Sequence, residues 1–182
     1  MTTTNDLRAL LVYESMFGNT EKAAQAVSEG LRLEGLQVTV AEVREAPKPD
    51  AFDLLVLGAP THAFSLSRAS TRANAVEQGA PARVATTGMR EWLDALEATE
   101  GARLAAAFDT RARKVKHLPA AASRKAARLV SRKGYDLVVP PQGFLVEDTA
   151  GPLSEGQLEE ATAWGRAVAT ASRHKLAAAS LR

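Results

Sequence analysis

The chain has no cysteine in 182 residues, and this absence excludes disulfides, thiol nucleophiles and cysteine-ligated zinc or iron–sulfur centres. The three histidines, His62, His117 and His174, lie far apart and show no paired spacing of the H-x-x-x-H kind. We therefore expect no metal site. Redox chemistry in this protein would have to come from a bound organic cofactor.

Long apolar runs are also absent. No stretch approaches the length of about 20 residues that a helix needs to cross a bilayer. The segment Met1–Asp6 lacks the basic and apolar regions of a secretory signal. We therefore expect a cytoplasmic protein that does not bind membranes. The length and the 46% share of hydrophobic residues suit one globular domain.

Neither common glycine-rich phosphate loop, G-x-x-x-x-G-K-[ST] or G-x-G-x-x-G, occurs at the first predicted strand–helix junction. The segment 11–22 still runs from an apolar strand through a hydroxyl-rich turn into a helix. An anion there would meet free backbone N–H groups and the positive end of the helix dipole. Ser15, Asn19 and Thr20 add side-chain donors, and Gly18 allows close approach. An ordinary capped helix is the alternative, because Asn and Thr cap well.

Apolar runs alternate along the chain with amphipathic helical segments. Continuous apolar runs are typical of parallel strands covered on both faces, and an alternating run suits an edge strand. The predicted strands are 10–13, 36–40 at the edge, 54–57, 104–108 and 137–139, the last with a continuation at 144–146 after Pro140-Pro141.

Apolar residues at helical spacing predict the intervening helices. The sets are Ala23, Val27 and Leu31; Met89, Trp92, Leu93 and Leu96; Ala122, Ala126, Leu129 and Val130; and Leu158, Ala161, Val168 and Ala171. Ser154 and Gln157 have the spacing of a capping box for the last helix. The segment 65–87 has no strong period, which predicts a mobile lid or partner surface, with a short helix near 70–78 as the alternative.

The turn Ser-x-Phe-Gly-Asn-Thr at 15–20 resembles the FMN phosphate loop of the flavodoxin family. Pro-Thr-His at 60–62 is similar to the flavodoxin-type domains of A-type flavoproteins, and 144–164 resembles the final strand and helix of flavodoxin-like proteins. The resemblance implies an α/β fold: a three-layer, doubly wound, parallel five-stranded sheet of order 2-1-3-4-5. It implies a single domain over 1–182, with its core at about 7–171 and a frayed tail at 172–182.

In that architecture ligands bind where the strand order reverses, at the carboxyl ends of the strands. The resemblance implies that the first loop holds the phosphate, while 60–65 and 109–111 line the two sides of the flavin ring. Phe64 would stack on the ring, or else be a core residue, and His62 would contact the flavin or bond the backbone instead. The expected cofactor-binding residues are Ser15, Met16, Phe17, Gly18, Asn19, Thr20, Pro60, Thr61, His62, Ala63, Phe64, Ser65, Asp109, Thr110 and Arg111. Asp109 and Glu14 have no partner at a diagnostic spacing, so no catalytic acid or base is assigned.

The segment after the fourth predicted strand departs from the flavodoxin pattern, because 108–133 contains no Gly, Tyr or Trp. Instead, 110–133 carries nine basic residues and no acid, and the whole chain has a net charge of +2. This basic 111–133 surface would steer an acidic redox partner or a nicotinamide phosphate, or would simply be a solvated helix face. The lack of interleaved aromatics argues against nucleic-acid binding.

The function implied by the resemblance is electron transfer by non-covalently bound FMN, with a redox protein or NAD(P)H as partner. Two other functions stay open. One is a flavodoxin-like binding or regulatory module without FMN, which the altered segment after the fourth strand favours. The other is a small NAD(P)H-dependent flavin or quinone reductase.

Overall fold

The computed structural model describes residues 7–99, 103–117 and 121–181. Within them, six parallel strands form one sheet: β1 (Arg8–Tyr13), β2 (Gln37–Glu42), β3 (Leu54–Pro60), β4 (Arg103–Ala112), β5 (Tyr135–Leu137) and β6 (Gln142–Val146). The helices are α1 (Asn19–Leu33), α2 (Ala69–Glu77), α3 (Met89–Ala95), α4 (Ala122–Arg132) and α5 (Gln157–Ser180).

The strand order is β2-β1-β3-β4-β5, with β6 also paired to β4, which confirms the predicted order and fold class. β5 pairs with the start of β4 and β6 with its end, from Phe108 to Ala112. Pro140 and Pro141 lie between the two short strands. Since proline has no N–H to donate to a sheet, it interrupts what would otherwise be one fifth strand.

Two apolar layers lie on opposite faces of the sheet. On β1, Ala9, Leu11 and Tyr13 belong to the layer shared with α1 and α5, whereas Leu10 and Val12 belong to the layer shared with α3 and α4. Side chains alternate across a strand, so a strand buried on both faces needs apolar residues at every position. This explains why the central strands are continuous apolar runs in the sequence.

The start of α5 differs from the capping-box prediction. Gly156 is the residue before the helix, and no side chain caps it. The Gln157 side chain instead accepts a hydrogen bond from the Leu145 N–H of β6, at 2.6 Å. Leu158, predicted to lie on the buried face, is 42% exposed. Gln157 therefore secures the last helix to the sheet rather than closing its own first turn.

The far end of α5 continues through the segment 172–180, which the sequence predicts to fray. Ser172 is fully buried. The Lys175 ammonium donates to the Asp136 carboxylate and to the Leu137 carbonyl, each at 2.8 Å. These contacts join the end of the helix to β5.

The segment 65–87 forms α2 and a short 3-10 turn at Ala82–Ala85, so its helical alternative is the one observed. Ala75 and Val84 pack against Met16, which is 4% exposed in the turn after β1. Arg72 of α2 is 1% exposed. The segment therefore supports the first loop from behind. Within the part of the chain that the structure describes, no helix is long and apolar enough to span a membrane.

α1 and α5 approach each other closely because glycines lie at their crossing. A Cβ on Gly30 would collide with the Thr162 carbonyl oxygen, and a Cβ on Gly165 would collide with the Val27 carbonyl oxygen. A backbone carbonyl within a helix cannot rotate away from such a contact. The position of α1 against the sheet therefore depends on these two glycines.

We predict that Gly165→Ala lowers the free energy of unfolding by about 1–3 kcal/mol, as other overpacked sites do. Alanine is the better helix former by about 1 kcal/mol, but the clash with Val27 outweighs that gain. Urea denaturation measures the change. Ala167→Ser at an exposed α5 position is the control and should stay within about 0.5 kcal/mol. A stabilised Gly165→Ala protein would contradict the close crossing.

Candidate functional site

The turn between β1 and α1 is closed by one hydroxyl. The Ser15 Oγ accepts hydrogen bonds from the N–H groups of Gly18, at 3.1 Å, and Glu21, at 3.3 Å. Gly18 has φ +87°, a left-handed conformation that suits glycine. The N–H groups of Asn19 and Thr20 come next, and first-turn N–H groups have no acceptor within the helix. The turn therefore presents donors at the positive end of α1.

Two side chains of α1 connect this turn to neighbouring segments. The Thr20 and Thr110 hydroxyls are 2.7 Å apart, and both residues are buried. The Asn19 amide donates to the Ala150 carbonyl at 3.0 Å, and Gly151 leaves room for that amide. The loop after β6 is thereby held over the turn, next to the end of β4.

The loop after β3 forms a tight turn. His62 and Ser65 exchange backbone hydrogen bonds of 2.8 and 2.9 Å. Between them, Ala63 and Phe64 have φ values of +44° and +64°, which are uncommon for residues other than glycine. Phe64 is 52% exposed as a result, which excludes the core alternative for its side chain. Burial and the nearby Arg72 lower the pKa of His62, so its imidazole is neutral at pH 7.

The end of β4 carries an internal ion pair. Arg111 donates from Nε and Nη2 to the two Asp109 carboxylate oxygens, each at 2.6 Å. The Ser123 N–H, at 3.2 Å, and the Ser123 hydroxyl also donate to Asp109. A Cβ on Gly143 of β6 would collide with the Arg111 guanidinium. Asp109 therefore fixes Arg111 and the start of α4, and Gly143 provides the space that Arg111 needs.

These segments enclose a cavity of about 220 Å³ at the carboxyl edge of the sheet. Most of the predicted binding residues line it: Ser15, Met16, Phe17, Asn19, Thr20, Pro60, Thr61, His62, Ala63, Thr110 and Arg111. Gly18, Phe64, Ser65 and Asp109 lie outside its wall. Ala112, Val146 and Thr149 line it without having been predicted. The rule that ligands meet the carboxyl ends of strands, applied to the end of β6 as well, would have found Val146 and Thr149.

A buried polar network lies behind the two loops. The Glu14 carboxylate accepts from the Met89 N–H at 2.8 Å and from the Ser67 hydroxyl. Arg72 donates to Ser67 Oγ and to Glu91 Oε1, both at 3.0 Å. Burial raises the pKa of Glu14. The network joins the end of β1 to the loop after β3, to α2 and to the start of α3. No local sequence pattern predicts it.

Residues 11–89 match the family model described as Flavodoxin. A flavodoxin of Aquifex aeolicus is 43% identical over 58 residues, which cover 30% of this chain and 31% of that protein. An NAD(P)H dehydrogenase (quinone) of Geobacter sulfurreducens is 32% identical over 97 residues, covering 49% of this chain and 48% of that protein. The chain thus spans about a third of the first relative and about half of the second.

Among solved structures, a flavodoxin from the domain Archaea has a TM-score of 0.65 and 19% identity. The alignment covers 92% of this chain and 100% of that one. The structural likeness confirms the predicted fold along nearly the whole chain. The family match includes the first loop and the loop after β3, two of the three segments on which the predicted resemblance rested.

The raised pKa of Glu14 gives a testable pH dependence. A carboxyl group with a raised pKa in the folded state takes up a proton on folding once the pH exceeds its unfolded pKa, about 4.3. Its contribution to stability is therefore lost as the pH rises through its folded pKa. We predict that Glu14→Gln removes this fall, so that stability relative to the unaltered protein improves from pH 5 to pH 8.

Urea denaturation at the two pH values measures this difference. Glu97→Gln, at a carboxylate that is 86% exposed, is the matched control and should show no such trend. Parallel stability curves for Glu14→Gln and the unaltered protein would show that Glu14 does not take up a proton on folding.

Proposed function

Since this chain is a flavodoxin-like protein in sequence and fold, we propose that it binds FMN non-covalently and transfers electrons between redox partners. The observation that carries the proposal is the donor-lined cavity at the start of α1. FMN would supply the redox chemistry, and the protein would supply its position and electrostatic surroundings.

The chemistry of the cavity fits a phosphate. Its lining includes the hydroxyls of Thr20 and Thr110 and the guanidinium of Arg111, beside the first-turn N–H groups of α1. No Asp or Glu is among its described lining residues. The two buried carboxylates nearby, Glu14 and Asp109, already accept hydrogen bonds from within the protein. An anion would therefore find donors without a repelling carboxylate in the wall.

The ring of the flavin would lie along the loop after β3. Phe64 is exposed beside the cavity in a turn that is already closed by the His62–Ser65 hydrogen bonds. Stacking on a preformed turn costs little conformational entropy. Thr110 and Arg111 would approach the flavin from the other side, and Asp109 would act by holding Arg111 in place.

FMN and riboflavin differ by the phosphate, so comparing their affinities tests the proposal. We predict that the protein binds FMN much more tightly than riboflavin. Thr20→Val should weaken FMN binding about tenfold, the equivalent of one hydrogen bond to an anion, and leave riboflavin binding unchanged. Flavin fluorescence quenching measures both affinities.

Thr170→Val, at an exposed α5 position, is the matched control and should change neither affinity. Thermal melting of each variant separates loss of binding from loss of folding. Equal affinities for FMN and riboflavin in the unaltered protein would refute the phosphate site.

Phe64 should affect both ligands alike, because both contain the ring. We predict that Phe64→Leu weakens FMN and riboflavin binding by the same factor, about 3 to 10, as the loss of an aromatic contact implies. Phe64→Tyr keeps the aromatic face and should retain the affinity. If Phe64→Leu binds both ligands as the unaltered protein does, the ring does not lie on this loop.

A small NAD(P)H-dependent quinone reductase is the second candidate function. The observation that favours it is the 32% identity over 97 residues to an NAD(P)H dehydrogenase (quinone). A reductase would oxidise NAD(P)H continuously with a quinone as acceptor. An electron carrier would show no sustained turnover, so steady-state NAD(P)H consumption by the FMN-loaded protein distinguishes the two.

A further inference from the structure

We propose that the exposed cationic face of α4, together with Phe64, docks an acidic electron-transfer protein at the edge of the flavin site. The inference rests on the proposed function and adds the chemistry of the partner. We call the exposed side chains Arg124, Arg128 and Arg132 the α4 arginine row.

The arginine row is a concentration of unpaired positive charge. Its members are exposed and four residues apart, so they follow one face of the helix. α4 contains no acidic residue, and no member of the row forms an ion pair within the described part of the chain. Like charges at this spacing destabilise a helix by about 0.2–0.5 kcal/mol per pair. The stability of the fold therefore does not explain the row.

Three neighbouring basic residues are different, because each is paired with a carboxylate. Arg113 pairs with Glu147 at 3.2 Å, and Lys114 lies 3.7 Å from Asp148. Arg111 is held by Asp109. Most of the positive charge of the basic 111–133 surface that is not ion-paired is thus on α4, with Lys116 and Lys133 outside the helix.

The row begins at the site. The Ala122 N–H donates to Thr61 Oγ1 at 2.9 Å, and Ser123 bonds Asp109. Arg124 follows directly in the first turn, where the helix dipole disfavours a cation. The rise of the helix places Arg132 about 12 Å further along. The row therefore begins two residues after Ala122, which bonds the cavity-lining Thr61.

An apolar contact point lies beside the charged row. Phe64 and Arg124 are each within three residues of the Thr61–Ala122 hydrogen bond. Aromatic side chains surrounded by polar ones are typical of protein interfaces. The interfaces of electron-transfer complexes are small. Among the described residues of α4, no large apolar side chain is exposed. The helix therefore offers no aromatic surface on which nucleic-acid bases could stack, and no apolar face that could insert into a membrane. Charge complementarity thus points to an acidic protein.

The test uses FMN-loaded protein and a reduced plant-type [2Fe–2S] ferredoxin as an acidic probe, with oxidised cytochrome c as a basic comparison. Stopped-flow absorbance gives the second-order rate of flavin reduction by the ferredoxin and, for protein whose flavin has first been reduced with dithionite and desalted, the rate at which the flavin reduces cytochrome c. Raising the ionic strength from about 0.01 M to about 0.15 M shortens the Debye length from about 30 Å to about 8 Å. We expect the ferredoxin rate to fall at least fivefold over this range.

Arg124→Glu should slow the ferredoxin reaction at least fivefold at low salt, and Arg124→Gln should slow it less. The matched control is Lys48→Glu, which changes the net charge equally at a residue whose side chain is 81% exposed near the amino end of β3. It should change the rate less than about twofold. FMN affinity is measured for every variant, and each variant is mixed at saturating FMN, so that a change in FMN affinity does not enter the measured rate.

The outcomes separate the two proposals. If FMN binds normally but the rate of reduction by ferredoxin changes neither with salt nor with Arg124→Glu, the docking surface alone is overturned. Failure of the unaltered protein to bind FMN would overturn the proposed function and the electron-transfer role of the surface with it. Tighter, Arg124-dependent binding to duplex DNA or to phosphatidylserine-containing vesicles than to ferredoxin would also overturn the acidic-protein partner.

Discussion

The unsatisfied N–H groups at the start of α1 are the constraint on which the site depends. A helix leaves its first N–H groups without internal acceptors, and in this protein they face the edge where β1, β3 and β4 end. Ser15 takes up two of the N–H groups around the turn and keeps its shape. Thr20, Thr110 and Asn19 then bring the ends of β4 and β6 against the same turn. The cavity is the space these contacts leave at the positive end of the helix.

The acidic groups near the cavity form hydrogen bonds and ion pairs within the protein. Glu14 and Asp109 are both buried and both accept bonds from a helix start, that of α3 for Glu14 and that of α4 for Asp109. Each also connects to an arginine, directly in the pair of Asp109 with Arg111 and through Ser67 in the case of Arg72. The carboxylates therefore fix the positions of loops and helices. The cavity wall and the outer face of α4 are left with donors and positive charge.

The sequence allowed the prediction of the parts of the structure that depend on local pattern. Continuous apolar runs indicated the central strands because both faces of the sheet are covered. The first loop was predictable because strand, hydroxyl-rich turn and helix follow one another directly. The role of Asp109 could have been predicted from alternation along β4, which directs Asp109 toward Ser123 of α4 and Thr110 toward Thr20 of α1. The resemblance instead assigns residues 109–111 together to the flavin ring, so this division was not predicted.

The remaining features depend on residues that are distant in sequence. Glu14 and Met89 meet only because β1 and α3 share one edge of the fold, and nothing near either residue signals the contact. Arg72 lies in a helix with little amphipathic character, so its burial becomes visible only when its partners are in place.

The glycine crossing of α1 and α5 also orders events in time. It joins the first described helix to the last, and the proposed phosphate site lies at the amino end of that first helix. Contacts between distant parts of a chain form late, since the loop-closure entropy must be overcome first. During synthesis, α1 therefore emerges long before the helix that fixes it against the sheet. The cavity at the start of α1 therefore takes its final shape only after α5 has been synthesised and has packed against α1.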